Sequence, residues 1–354
     1  METCSRSFVG ATITLHGLAH ALVDTASICL YFTILRLGAF DDPMTVFFLY
    51  GIFAFAMQSP LGFLADRFNR PVLTAACGCL LVALAPLFLT VPLLALLVVG
   101  IGNALYHLGG GMITLSLSRG RASLSGVFVA PGTFGVAFGT ALGMKHIQPT
   151  LFFAVLFVVT LAAILLAGRS IWRVTTVSRH NSVQKISPII FYGAMIFLCG
   201  TVLLRSTVGQ LSSGAAKNMM PWFYAIPVAV FAGKFCGGFL ADRFGWHRLT
   251  LFAILLSAPF LSVVRICPPA ALVGFFLFSM SMSVTLAAMS NLLPGSPGFA
   301  FGLTALCLAV GAFAALQIPS TDIVIFLLVV LSASLFYFGI RCYNDVMLKD
   351  NKSS

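Results

Sequence analysis

Twelve stretches of this 354-residue chain are long and apolar enough to cross a lipid bilayer, and little sequence is left between them. A membrane-spanning helix needs about 20 predominantly apolar residues. Runs broken by proline, glycine or charge fall at 8–35, 44–64, 71–89, 91–117, 124–144, 150–167, 187–204, 221–241, 249–264, 270–289, 298–316 and 322–343, numbered helices 1 to 12. Only 8% of the residues are charged, against about 25% in a soluble domain, too few to cover a water-facing surface. The same shortage excludes a disordered chain and a nucleic-acid binder, in spite of a formal charge of +11. An all-α, multi-pass membrane protein is expected. The amino terminus runs into the first apolar stretch without a small-residue cleavage site, so helix 1 is expected to be retained.

The chain also repeats itself. GFLADRFNR at 62–70 returns as GFLADRFGW at 238–246, a shift of 176 residues that also carries helices 1 to 6 onto helices 7 to 12. Two six-helix units are expected, at 1–168 and 187–354, joined by a linker at 169–186 bearing Arg169, Arg173, Arg179, His180 and Lys185. With both termini inside, fourteen lysines and arginines fall on the cytoplasmic side. Five (Arg36, Lys145, Arg205, Lys217 and Arg265) fall outside. That bias orients the chain with both termini in the cytoplasm, and the expected location is a bacterial inner (plasma) membrane. The nine cysteines are scattered and lack paired CxxC spacing, so they are read as helix-packing residues.

The duplicated loop carries a family resemblance. Gly62, Leu64, Ala65, Asp66, Arg67 and Arg70, echoed by Gly238, Leu240, Ala241, Asp242, Arg243, Gly245 and Arg248, resemble the loop signature of the major facilitator superfamily of secondary transporters. The resemblance implies two pseudo-symmetric six-helix bundles rocking about a central site, with helices 1, 4, 7 and 10 lining the cavity. An Asp at a helix end can meet a neighbouring helix dipole or an Arg and so latch one access state. The other reading is that the arginines only mark the cytoplasmic side. Within the superfamily, HALVDTAS at 20–27 and Tyr106-His107-Leu108-Gly109-Gly110 in helix 4 resemble the fosmidomycin-resistance-type exporters. Those usually read His-Pro-Glu-Gly in helix 4, where Leu108 and Gly109 stand here. Helix 5, with Pro131, Gly132 and Gly135 among glycines spaced for close contact, is similar to the glycine-proline signature of proton-driven antiporters. Tight packing alone also explains it. The arginine-bearing helix 4 signature of many drug–proton antiporters is missing, since 91–111 holds no Arg.

Elimination locates the candidate chemistry. Of nine acidic residues, Glu2, Asp41, Asp42, Asp322, Asp345 and Asp350 lie at termini or membrane edges, and Asp66 and Asp242 belong to the signatures. Asp24 remains, near the middle of helix 1. A carboxylate at that depth costs about 2.5–3.5 kcal/mol on insertion scales and belongs in a bundle interior. His16, His20 and Asp24 are four apart and share a helix face; Asn103 and His107 do the same on helix 4, beside Tyr106. If helices 1 and 4 line the cavity, as the resemblance implies, the stripes meet, and Asp24 with His20 and His107 becomes a proton-coupling site. The alternative is a His that hydrogen-bonds the Asp to fix packing. Lys234 and Arg205 are candidate contacts for an anionic substrate. Lys234 otherwise snorkels to the surface, and Arg205, with Gln210, is expected at the outer end of helix 7. In helix 10, Ser279, Ser281, Ser283 and Thr285 either line a polar path or join helices.

Secondary active transport of a small organic molecule follows, with proton-coupled efflux first, proton-linked import of a small organic anion or nutrient second, and a non-transporting sensor third. No HExxH, GxSxG or strand-borne phosphate loop marks an enzyme. The expected partners are substrate, protons and lipid, with no cofactor, metal or nucleic acid, and the chain is expected to act as a monomer.

Overall fold

A computed structural model of the chain describes residues 6–147, 150–171, 187–216 and 222–351. The expected linker beyond Ile171 lies outside them, as do Cys4, Lys217 and Lys352. Among the described residues the chain is helical, with no strand. Helices stand at all twelve expected places: α1 Arg6–Arg36, α2 Pro43–Phe68, α3 Pro71–Phe88, α4 Pro92–Ser118, α5 Ala122–Met144 and α6 Thr150–Ile171. The second series is α7 Pro188–Ala216, α8 Trp222–Phe244, α9 Trp246–Ser262, α10 Pro268–Leu292, α11 Pro297–Gln317 and α12 Asp322–Asn351. Among the described residues 10 of these have the length and hydropathy of membrane spans; α6 adds a shorter apolar stretch, Leu156–Gly168, and α9 has 17 residues.

Local chemistry explains the boundaries. Proline opens α2, α3, α4, α7, α10 and α11, where its missing N–H is no loss. Asp42 caps α2 by accepting from Met44 N–H at 2.9 Å. Asn69, with φ of 49°, ends α2 in the left-handed helical conformation, and Gly245, with φ of 95°, ends α8 at the same repeat position with a positive φ that glycine tolerates. Inside α2 a π turn runs Ile52–Ala56; Pro60 cannot donate to the Ala56 carbonyl, where that turn ends. The helix of α10 breaks for one residue at Met280. There Ser281 Oγ donates to the Phe278 carbonyl at 2.8 Å and Thr285 Oγ1 to that of Ser281 at 3.0 Å, side-chain bonds that compete with the backbone ladder.

Two compact units result. One holds α1 to α4, α5 from Val127 onward, α6, and Ser296–Leu306 of α11. In it α4 packs on α1, α2 and α3, while α6 lies against α1 and α3. The other holds Gly120–Gly126, α7 to α10, and the chain from Cys307 onward. In it α10 packs on α7, α8 and α9, while α12 lies against α7 and α9. The two adjacency patterns are the same under the 176-residue shift. Tyr106, Phe128, Ile13 and Leu96 are fully buried in the first unit, and Phe336, Leu198, Ile254 and Leu261 in the second. Large apolar side chains also stand outward: Leu18, Phe138, Val158, Ile189 and Phe252 are each more than half exposed, the surface of a protein whose solvent is lipid.

Candidate functional site

Asp24 lies near the middle of α1 and is 6% exposed. Its Oδ2 stands 3.2 Å from His20 Nε2, one turn earlier. Its Oδ1 accepts from Asn103 Nδ2 on α4 at 3.1 Å and lies 3.5 Å from His107 Nε2. The two imidazoles meet Nε2 to Nε2 at 2.8 Å, their rings almost perpendicular with centroids 4.4 Å apart.

The other ring nitrogens each face a backbone carbonyl. His107 Nδ1 faces the Asn103 carbonyl at 2.8 Å, and His20 Nδ1 faces the Phe128 carbonyl at 2.9 Å. A carbonyl only accepts, so both Nδ1 atoms donate. Two bare Nε2 lone pairs repel at 2.8 Å, so the contact has the geometry to take a proton between the rings, beside the Asp24 carboxylate. His20, Asp24 and His107 also present ligand atoms within 4.8 Å of one another, as a cation site would. Two nitrogens on a tetrahedral zinc stand about 3.3 Å apart at a Zn–N distance of about 2.0 Å, so the observed contact fits a proton better.

The expected stripes meet only in part. His20, Asp24, Asn103 and His107 come together. His16 does not join them: its carbonyl accepts from Tyr106 Oη at 2.5 Å, and its buried Nδ1 has no partner among the described residues. Sequence reasoning missed three neighbours. Ser27 Oγ lies 3.4 Å from Asn103 Nδ2 and was signalled by its place one turn from Asp24. Phe128 supplies the carbonyl, and the Phe301 ring lies 6.4 Å from that of His107; neither has a local signal. α5 closes the wall. A Cβ on Gly132 would stand 2.7 Å from His20 Cδ2, and one on Gly135 2.7 Å from Asp24 Cβ. Pro131 sits inside α5, which runs on to Met144. The Val127 carbonyl, which Pro131 cannot bond, lies 2.8 Å from where a Cβ on Gly17 would be.

The loop signatures make one contact twice. Asp66, in the last turn of α2, accepts from the N–H groups of Gly298 and Phe299, both at 2.7 Å, at the start of α11. Asp242, in the last turn of α8, accepts from those of Ala122 and Ser123 at 3.0 and 2.9 Å, at the start of α5, and from Trp246 Nε1 at 2.8 Å. The 176-residue shift carries each participant of the first contact or its partner onto the second: Asp66 onto Asp242, and Ala122 and Ser123 onto Gly298 and Phe299. Gly62 and Gly238 let the helices close, since a Cβ on either would meet the backbone of Gly298 or Ala122. Of the two partners open to these carboxylates, helix dipole or Arg, the structure gives the helix N-terminus. Arg67, Arg70, Arg243 and Arg248 are exposed. Arg243 lies over the Phe244 ring at 5.5 Å. Arg248 lines an open cavity of about 540 Å³ with Trp246, His247 and Tyr343.

Arg205 requires a correction. Helix 7 was expected to stop at 204, because a charge followed; α7 instead continues to Ala216. Arg205 therefore lies well inside the helix, 9% exposed, and donates from Nη1 to Thr285 Oγ1 on α10 at 3.1 Å. Lys234 is half-buried on α8, and its carbonyl accepts from Ser283 Oγ at 2.7 Å.

The sequence profile of the Major Facilitator Superfamily matches residues 5–316. An uncharacterized MFS-type transporter of Bacillus subtilis (strain 168), YfnC, is 27% identical over 355 residues, covering 85% of this chain and 84% of its own. The fosmidomycin resistance protein of Escherichia coli (strain K12) is 28% identical over 289 residues, covering 70% and 69%. Among solved structures, the human organic anion transporter MFSD10 (TETRAN) superposes with a TM-score of 0.66 at 16% identity over 95% of this chain and 100% of its own. The E. coli fucose:proton symporter superposes with a TM-score of 0.61 at 14% identity over 95% and 99%. At those identities the structures speak for the fold alone. With the duplicated signatures, the helices at all twelve expected places and a profile that spans most of its length, the chain is a multi-pass membrane protein and belongs to the Major Facilitator Superfamily of transporters.

Proposed function

We propose that the protein is a secondary active transporter that exports a small organic molecule by alternating access, driven by protons taken up and released at Asp24, His20 and His107. The observation that carries this reading is the 2.8 Å contact between the two Nε2 atoms beside a buried carboxylate. Loaded with its proton, the cluster pairs an imidazolium with a carboxylate. Emptied, it leaves two facing lone pairs and an unbalanced charge, so the rings must part or water must enter. A group with two arrangements that differ by one proton is what coupling requires. Because His20 is tied to the Phe128 carbonyl and packed on Gly132, a movement of that ring is felt by α5.

The two halves, 1–168 and 187–354, are the moving bodies of this mechanism. Each signature Asp ties a helix of one repeat to a helix of the other, so opening at that end means giving up four backbone N–H bonds to carboxylates. The Lys and Arg bias supports an orientation with that end and both termini in the cytoplasm, the membrane being, on this reading, a bacterial inner membrane. Similarity to a fosmidomycin resistance protein supports export. Import of a small organic anion together with protons is the second reading, and the buried Arg205 favours it.

The test is flux in membrane vesicles under an imposed pH gradient, across a panel of drugs and small acids. Movement of a drug against inward proton flow is the expected result. A small acid entering with protons would establish the second reading, and no flux of any compound would leave a sensor. Asp24→Asn should reach the membrane folded and lose proton-driven movement; undiminished transport by that variant would refute the assignment.

A further inference from the structure

Arg205 is a buried cation with no carboxylate partner among the described residues. It is 9% exposed in the second unit, and Thr285 Oγ1 is its one hydrogen-bond acceptor among the described residues. A guanidinium has five N–H donors in a planar fork that fits a carboxylate or phosphonate. The described carboxylates of that unit with a known partner are engaged elsewhere: Asp242 caps α5 and bonds Trp246, and Asp322 pairs with Arg265 at 2.6 Å. Asp345 lies toward the far end of α12, exposed.

Its placement matters as much as its isolation. Arg205 joins α7 to α10 as Asp24 joins α1 to α4, and under the 176-residue shift these are equivalent helix pairs. The chemistry is not repeated. Positions equivalent to His20, Asp24, Asn103 and His107 are Ile196, Gly200, Ser279 and Ser283, and the position equivalent to Arg205 is Cys29. One repeat carries the acid and the imidazoles; the other carries, among the described residues, one buried cation. Two turns along the same face of α7, Ser212 is fully buried, and its Oγ has no partner among the described residues. A buried charge persists in a membrane protein where it has a use.

We infer that Arg205, assisted by Thr285, is the binding site for the anionic head of the cargo, a small organic oxyanion such as a carboxylate or phosphonate. This rests on the transport reading and names its substrate class. The bound oxyanion supplies the counter-charge that the protein lacks, through two parallel N–H···O bonds.

The experiment uses the purified full-length protein in detergent with a panel of aliphatic and aromatic carboxylates and phosphonates, each paired with its neutral amide or ester. At least one oxyanion is expected to raise the Tm of the wild type while its neutral partner does not. Arg205→Met, which keeps length and apolar packing, should bind that oxyanion roughly 10- to 100-fold more weakly, and Arg205→Lys should keep part of the affinity. Equal stabilisation of Arg205→Met, equal stabilisation by the neutral partners, or no stabilisation of the wild type by any oxyanion would overturn the assignment. A purely structural Arg205 would lower the unliganded Tm on substitution and leave the ligand shift unchanged. Asp24→Asn separates the two proposals: oxyanion binding retained there and lost in Arg205→Met supports this site even if proton coupling fails. Loss of proton-driven flux in Asp24→Asn with oxyanion binding intact in Arg205→Met removes this site alone.

Discussion

Asn103 holds Asp24 with its Nδ2 and His107 with its carbonyl, so one residue of α4 positions both the acid and a neighbouring imidazole. Asn103→Leu leaves a buried carboxylate short of a donor and should cost about 1–3 kcal/mol, read as a lower Tm in detergent. Combined with Asp24→Asn, the loss should fall well short of the sum of the two, because both changes act on one contact. His107→Gln keeps a polar side chain but cannot share a proton with His20, and it should abolish proton-driven flux while protein levels in the membrane hold. The residues of this cluster were legible from two facts alone, the lone mid-membrane acid and the four-residue spacing of its neighbours. His16 had the same spacing and stayed outside, because periodicity fixes a helix face but not which turn of the partner helix lies opposite.

At the scale of elements, α5 decides how tightly α1 can be held. Gly135 faces Asp24 and the Ala21 carbonyl with no room for a Cβ. Gly135→Val should destabilise by about 1–3 kcal/mol through overpacking and suppress transport without altering any polar atom. Gly209 of α7 is the control: nothing lies within 4 Å of an added Cβ there, so Gly209→Ala should be neutral or stabilising by about 0.4–1 kcal/mol. A run of spaced glycines signalled close contact, but not with which helix. The end of α7 was misplaced for a related reason. A charge marks a membrane edge only when nothing inside the bundle receives it, and Thr285 lies 80 residues away.

For the molecule as a whole, the proposed latch makes the two capping carboxylates the test of how readily the signature-bearing end opens. Asp66→Asn and Asp242→Asn should each remove about 1 kcal/mol of helix capping. With a cysteine at Ser118, buried at 1% exposure, in a background lacking the native cysteines, thiol labelling should quicken about fivefold for each change and about 25-fold for both if the effects add. No change in labelling in the double variant would refute the latch. Hydropathy and the 176-residue echo placed all twelve helices, paired them as two copies and isolated Asp24, because burial in lipid and backbone hydrogen bonding are local demands written along the chain. Three outcomes needed the packed structure: which N-termini Asp66 and Asp242 cap, that Arg205 is enclosed with no acid beside it among the described residues, and that His20 and His107 meet Nε2 to Nε2 at 2.8 Å. Each depends on contacts between segments some 80 to 230 residues apart, where side-chain distances are set by how helices pack and not by spacing along any one of them.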